Sequence, residues 1–124
     1  MTLENFRVLN LAPFPFFAVL ITSEEEWNNL APELQATHDH WLNECTACVR
    51  DCGHFSVVSI NPTGKLTSLV DTLAHEATHV FQHMCQHISE YDPSKEMEAY
   101  YIGHITSWLF QQTFDEFMEN AEDE

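Results

Sequence analysis

The second half of the chain carries apolar residues at the spacing of an amphipathic helix. The stripe follows the turn-forming segment 61–64, and Thr67 or Ser68 can cap its start. It continues to about Ile88 and predicts a helix with one buried face. The residues of the stripe are Val70, Leu73, Ala74, Ala77, Val80, Phe81 and Met84.

A second long helix is predicted near the carboxyl end. Ser94 can cap it after the loop at 89–93, and the helix would run from Lys95 to about Met118. The acidic segment 119–124 is predicted to be a frayed, solvated tail. The apolar face of this helix comprises Met97, Tyr101, Ile102, Ile105, Leu109 and Phe110.

Two segments rich in Phe, Val and Ile predict β-strands before these helices. Residues 14–22 form a continuous apolar run, which is typical of a central strand, and residues 54–61 alternate in part. The second strand leads directly into the amphipathic helix, and an exposed edge on it could bind an extended peptide by main-chain pairing. Between the strands, Ser23 and Glu26 form a capping box that predicts a short acidic helix through Leu34.

Together these elements predict an α+β fold in a single domain of residues 1–124. The segments 1–12 and 36–53 give no clear periodicity. A hydrophobic content of 44% is enough to form a core, so the chain is not expected to be a disordered acidic protein.

The charge balance narrows the range of partners. The formal net charge is -16, and the chain has four basic residues. Direct binding of nucleic acid is not expected, because few side chains could neutralise phosphates. Two interpretations of the acidity remain. The clustering of the acids favours a solvated surface that aids solubility, and the alternative is a nucleic-acid mimic that binds a basic protein partner.

The cysteines and the first apolar segment indicate the cellular location that we expect for the protein. Residues 11–21 include two prolines, lack a basic start and are too short to span a bilayer. We therefore expect no membrane association and a reducing, cytoplasmic setting with free thiols. Two interpretations of the cysteines in segment 36–53 remain. They are small apolar residues on one helical face, or Cys45, Cys48, Cys52 and His54 bind a second, structural metal ion.

The amphipathic helix contains the pattern H-E-x-x-H at residues 75–79. On a helix, His75 and His79 lie one turn apart and project the same way, so they can share one metal ion. Zinc suits a pair of neutral imidazoles. Glu76 lies about 100° further round the helix, where it can act as general base on a metal-bound water. His83 and His87 continue the four-residue spacing, but each lies further round the helix. We interpret them as surface residues or as residues that support the metal ligands.

A catalytic zinc site normally has three protein ligands, and the last helix offers Glu96 and Glu98. These two residues are about 200° apart round the helix, so at most one faces the metal. Glu96 shares its face with Ala99 and Gly103, whose small side chains would allow close approach to the first helix. Packing therefore favours Glu96.

These residues resemble a known family. His75-Glu76-x-x-His79 followed by Glu96-x-x-Ala99 is similar to the gluzincin pattern of zinc metallopeptidases. The wider runs HEATHVFQ and EMEAYYIG resemble small zincin-like metallopeptidases encoded by bacteriophages, and the short single-domain form resembles the minigluzincins.

The resemblance implies a short mixed sheet of two or three strands, packed on the HExxH helix and the C-terminal helix. It implies Zn²⁺ held by His75, His79 and Glu96, with Glu76 as the base and a peptide or protein as substrate. For a phage-encoded chain it implies the host cytoplasm or association with the virion. Many gluzincins have Asp four residues after the ligand Glu. Here that position is Tyr100, whose hydroxyl could support a ligand histidine or stabilise an oxyanion.

Two classes of function follow. The first is a zinc-dependent metallopeptidase. The second is a zincin-fold protein without catalysis, which would act in binding or assembly or as an acidic inhibitor of a host protein. The sequence predicts neither the substrate nor the oligomeric state.

Overall fold

The structure is a computed structural model that describes residues 3–36, 39–42 and 45–122. Two strands and a short helix are followed by two more strands and then by two long helices at the carboxyl end. In chain order the elements are β1 (Arg7–Asn10), β2 (Phe17–Ile21), α1 (Glu24–Leu30), a 3₁₀ turn (Ala31–Leu34), β3 (Ala47–Asp51), β4 (Phe55–Ile60), α2 (Leu66–His87) and α3 (Lys95–Glu122).

The strands form one mixed sheet in the order β1-β2-β4-β3. β2 and β4 run parallel, and each has an antiparallel neighbour on its outer side. All six residues of β4 are buried, as its position between two neighbours requires. The strand predicted at 54–61 is therefore central, and the expectation of an exposed edge there is wrong. That edge belongs to β3, which lies in a segment without clear periodicity.

Both faces of the sheet are covered, because successive side chains of a strand point to opposite sides. On one face, Val58 and Ile60 pack with α2 and α3. On the other face, Phe55 and Val57 pack with Trp27 of α1. The α+β class is confirmed, and the sheet has four strands within the described ranges rather than two or three.

The helix starts follow the N-cap predictions for Ser23 and Ser94 but not the one for α2. The capping box predicted for α1 is present in its Ser23 half, and the Glu26 carboxylate accepts from the backbone N–H of Thr22. Ser23 caps α1 and Ser94 caps α3, and each hydroxyl accepts the backbone N–H three residues on at 3.1 Å. α2 begins at Leu66, before Thr67 and Ser68, and its N-cap residue makes no side-chain hydrogen bond. The cap predicted for α2 is therefore wrong.

α2 and α3 pack as an antiparallel pair. The rings of Phe81 and Tyr101 have centroids 6.3 Å apart, and at the other end Asn120 Nδ2 donates to the carbonyl of Pro62 at 2.9 Å. α3 extends through Glu122, so the tail predicted to fray is helical as far as that residue. Among the described residues, no helix has the length and apolarity needed to cross a membrane.

Ala99 and Gly103 lie outside the buried contact between α2 and α3, although Gly103 borders an open groove with Val70 and Leu73 of α2. Ala99 and Gly103 are both exposed, and a Cβ built on Gly103 meets no heavy atom within 4 Å. The buried stripe of α3 instead contains Tyr101, Ile105 and Leu109. The expectation that Ala99 and Gly103 allow close approach to α2 is therefore wrong.

Arg7 of β1 forms contacts with helices on both faces of the sheet. Its guanidinium forms ion pairs with Glu26 of α1 at 3.0 Å and with Glu116 of α3 at 2.9 Å. It also donates to Thr22 Oγ1 at 2.7 Å and to the carbonyl of Gln112 at 3.1 Å. One side chain thus connects the edge of the sheet to a helix on each face.

Candidate metal centre

The two motif histidines meet on the outer side of α2. Nε2 of His75 lies 3.2 Å from Nε2 of His79, and the ring centroids are 4.8 Å apart. Two nitrogen ligands of a tetrahedral zinc ion, with bonds of 2.0–2.1 Å, would be separated by roughly 3.3 Å. The distance between the two nitrogen atoms therefore fits a shared ion.

The other ring nitrogen of His79 has a partner on the same helix. Nδ1 of His79 lies 3.0 Å from Oε1 of Gln82. An amide oxygen accepts but cannot donate, so this bond places the imidazole proton on Nδ1. Sequence reasoning missed Gln82, although residues three apart on a helix are neighbours and this spacing was a signal that could have found it.

Glu76 lies on the side of α2 that faces the edge strand β3. The residue is 6% exposed, and with His75 it lines two adjoining cavities of about 350 and 390 Å³. Burial raises the pKa of the Glu76 carboxyl, and the nearby imidazoles of His75 and His79 oppose that rise. The charged neighbours that affect this pKa are the two imidazoles, which favour the ionised carboxylate.

His83 and His87 lie beyond the histidine pair. Nδ1 of His83 is 2.9 Å from the hydroxyl of Ser56 in β4, and burial lowers the pKa of His83 against an opposing effect of Asp51. The ring of His87 lies 5.8 Å from that of Phe16. His83 borders the same cavity as the pair, but its ring is held towards the sheet.

The structure does not bring Glu96 to the histidine pair. α3 packs on the flank of α2 that carries Phe81, and Val70 on the same flank borders an open groove between the two helices. This flank is roughly 150° round the helix from the two histidines. Because Tyr101 is level with Phe81 and the helices are antiparallel, Glu96 lies roughly 10 Å past His79 along the axis. Glu96 is exposed on the first turn of α3.

Tyr100 and Glu98 are also away from the pair. Tyr100 is 67% exposed, and its ring stacks on that of His104 with centroids 6.0 Å apart. Glu98 borders a cavity of about 700 Å³ near the end of α2, together with Gln82 and Cys85. Neither residue lines the two cavities that contain the histidine pair and Glu76.

The cysteine-rich segment forms a strand and its flanks. Cys48 lies within β3, and Cys45 and Cys52 lie on either side of it, so the interpretation as one helical face is wrong. The Cys48 thiol lies 3.6 Å from the carbonyl of Trp41 and 3.4 Å from the guanidinium of Arg50. Burial raises the pKa of the Cys48 and Cys52 thiols.

Within residues 3–36, 39–42 and 45–122, no group of three or more His, Cys, Asp or Glu side chains is arranged to hold an ion. His75 and His79 fit zinc as a pair, with an acceptor behind one ring and a buried carboxylate beside them. Comparison with known proteins finds no matching family model, no matching curated protein and no matching solved structure.

Proposed function

We propose that this chain is a zinc-dependent hydrolase of the metallopeptidase type, in which His75 and His79 hold the ion and Glu76 is the general base. The observation that carries the proposal is the distance of 3.2 Å between the two Nε2 atoms, next to a buried carboxylate with a raised pKa. The resemblance to gluzincins supports the same assignment of these three residues.

Glu76 would transfer the proton from the attacking water to the leaving amine. Its burial favours the protonated form, so its carboxylate is a stronger base than that of an exposed glutamate. It would take a proton from the attacking water and pass that proton to the amine nitrogen as the peptide C–N bond breaks. Bound zinc would polarise the peptide carbonyl and lower the pKa of a water molecule to about 7.

The position of β3 supports an extended peptide as substrate. β3 is the edge strand of the sheet, and its residues Ala47 to Val49 border the cavity that contains Glu76 and both histidines. A peptide that pairs with the outer edge of β3 would pass beside this cavity with its carbonyl groups at regular spacing.

A second candidate function is a binding or assembly protein without catalysis. Catalytic zinc sites normally have three protein ligands, and the described residues bring only two together. The net charge of -16 favours a basic protein as the partner in this case. The resemblance to phage-encoded chains supports action in the host cytoplasm or on the virion under either candidate.

Zinc stoichiometry and digestion of a peptide library separate the two candidates. We expect the purified wild type to bind one zinc and to cleave peptides, and we expect Glu76→Gln to keep the zinc and lose cleavage. Glu96→Gln is the matched control, because an exposed glutamate off the site should change neither property. Loss of zinc in Glu96→Gln would instead establish it as the third ligand.

Absence of cleavage by zinc-loaded wild type would overturn the hydrolase proposal. The binding candidate would then require a basic partner that is retained equally by wild type and Glu76→Gln in a pull-down experiment. Equal cleavage by wild type and Glu76→Gln would show that Glu76 is not the base.

A further inference from the structure

We propose that Gln82 is a positioning residue for the metal centre: its side-chain oxygen fixes the proton of His79 on Nδ1 and so keeps the Nε2 lone pair available to an ion. The metal-binding part of this inference rests on the proposed function. The effect on the ring of His79 holds for the protein without metal.

The argument begins with the chemistry of the contact. Oε1 of Gln82 can only accept a hydrogen bond, so Nδ1 of His79 must donate across the 3.0 Å that separate them. A neutral imidazole carries one proton, and its lone pair is then on the other nitrogen. That nitrogen, Nε2, is the atom 3.2 Å from Nε2 of His75.

The same contact fixes the direction of the ring. Residues three apart on a helix face each other, so Gln82 approaches His79 from the carboxyl side of α2 while His75 approaches from the amino side. Metal-bound histidines commonly donate their second N–H to an acceptor, and removal of that acceptor typically weakens metal binding by about 10–100-fold. Gln82 takes this role from within α2, whereas Tyr100 points away on α3.

Gln82 can be changed without disturbing the fold. The residue is exposed, and alanine is at least as good a helix former as glutamine. Gln86 provides a matched control, because it is an exposed glutamine one turn further along α2. Gln82→Glu provides a conservative variant, since a carboxylate oxygen still accepts from Nδ1.

The first measurement is the zinc affinity of the full chain in competition with a coloured chelator. We expect Gln82→Ala to bind zinc about 10–100-fold more weakly than wild type, with Gln82→Glu restoring the affinity and Gln86→Ala leaving it unchanged. Equal affinities for wild type and Gln82→Ala would overturn the positioning role and leave the proposed function intact.

The second measurement is the tautomer of His79 in the metal-free protein, read from the ¹⁵N chemical shifts of the ring at a pH where the imidazole is neutral. We expect the Nδ1–H form in wild type and in Gln86→Ala, and a shift towards the Nε2–H form in Gln82→Ala. An Nε2–H form in wild type would overturn the inference. Should wild type show the expected tautomer but bind no zinc, the proposed function fails while the effect of Gln82 on His79 stands.

Discussion

Replacement of Gly103 by alanine tests which face of α3 packs against α2. Gly103 lies in the interior of a 28-residue helix, and a Cβ at this position would meet no heavy atom within 4 Å. The added methyl group therefore costs no steric energy. The site of the change also bears on the metal centre, because Glu96 shares this face of α3.

The expected gain follows from helix propensity. Glycine in a helix interior is less favourable than alanine by about 0.8–1.0 kcal/mol, largely because its unfolded backbone is more flexible. With about 2.1 cal/mol/K of unfolding entropy per residue and a chain of 124 residues, a gain of 1 kcal/mol raises Tm by roughly 4 °C. Ala99→Gly, at an exposed position four residues earlier, should lower Tm by a similar amount.

Thermal unfolding followed by circular dichroism, with urea unfolding as a check, measures both variants. A neutral or destabilising Gly103→Ala, alongside a destabilising Ala99→Gly, would refute the reasoning. That result would mean that the small face of α3 is in close contact with another surface. Glu96 would then again be a candidate for the inner side of the helix pair.

Two further predictions concern charged side chains. Arg7→Met should lower the free energy of unfolding by about 2 kcal/mol, because partly buried hydrogen bonds to two carboxylates are lost. Urea unfolding measures this loss. The loss should be much smaller when Arg7→Met is made in a Glu26→Gln/Glu116→Gln background. Burial raises the pKa of Glu76 in the folded state, so its contribution to stability is greatest below the unfolded pKa of about 4.3 and is lost as pH rises through the folded pKa. In urea unfolding with EDTA, the stability of Glu76→Gln relative to wild type should therefore increase with pH, and a constant difference would contradict this reasoning.

The features that depend on local spacing were predictable from the sequence. The amphipathic stripes place α2 and α3, and the hydroxyls of Ser23 and Ser94 mark two helix starts correctly. The pairing of His75 with His79 is likewise a property of one helix, because residues four apart are neighbours on any regular α-helix. These predictions need no knowledge of how the elements pack together.

The features that depend on contacts between distant segments were not predictable in the same way. β3 has the short sequence Ala47–Asp51 without clear alternation, and its strand conformation comes from pairing with β4. The face that α3 turns towards α2 is set by the burial of Tyr101, Ile105 and Leu109. The helix register inferred from Glu96 and Gly103 could not include that competition, so it placed the small residues inward.

The edge position of β3 has a consequence for how copies of this protein behave in solution. An open strand edge can recruit the same strand of another copy, which leads to aggregation unless something opposes it. β3 is short and ends in Asp51, and each copy has a net charge of -16. Electrostatic repulsion between copies therefore counteracts self-association at the sheet margin that borders the histidine pair.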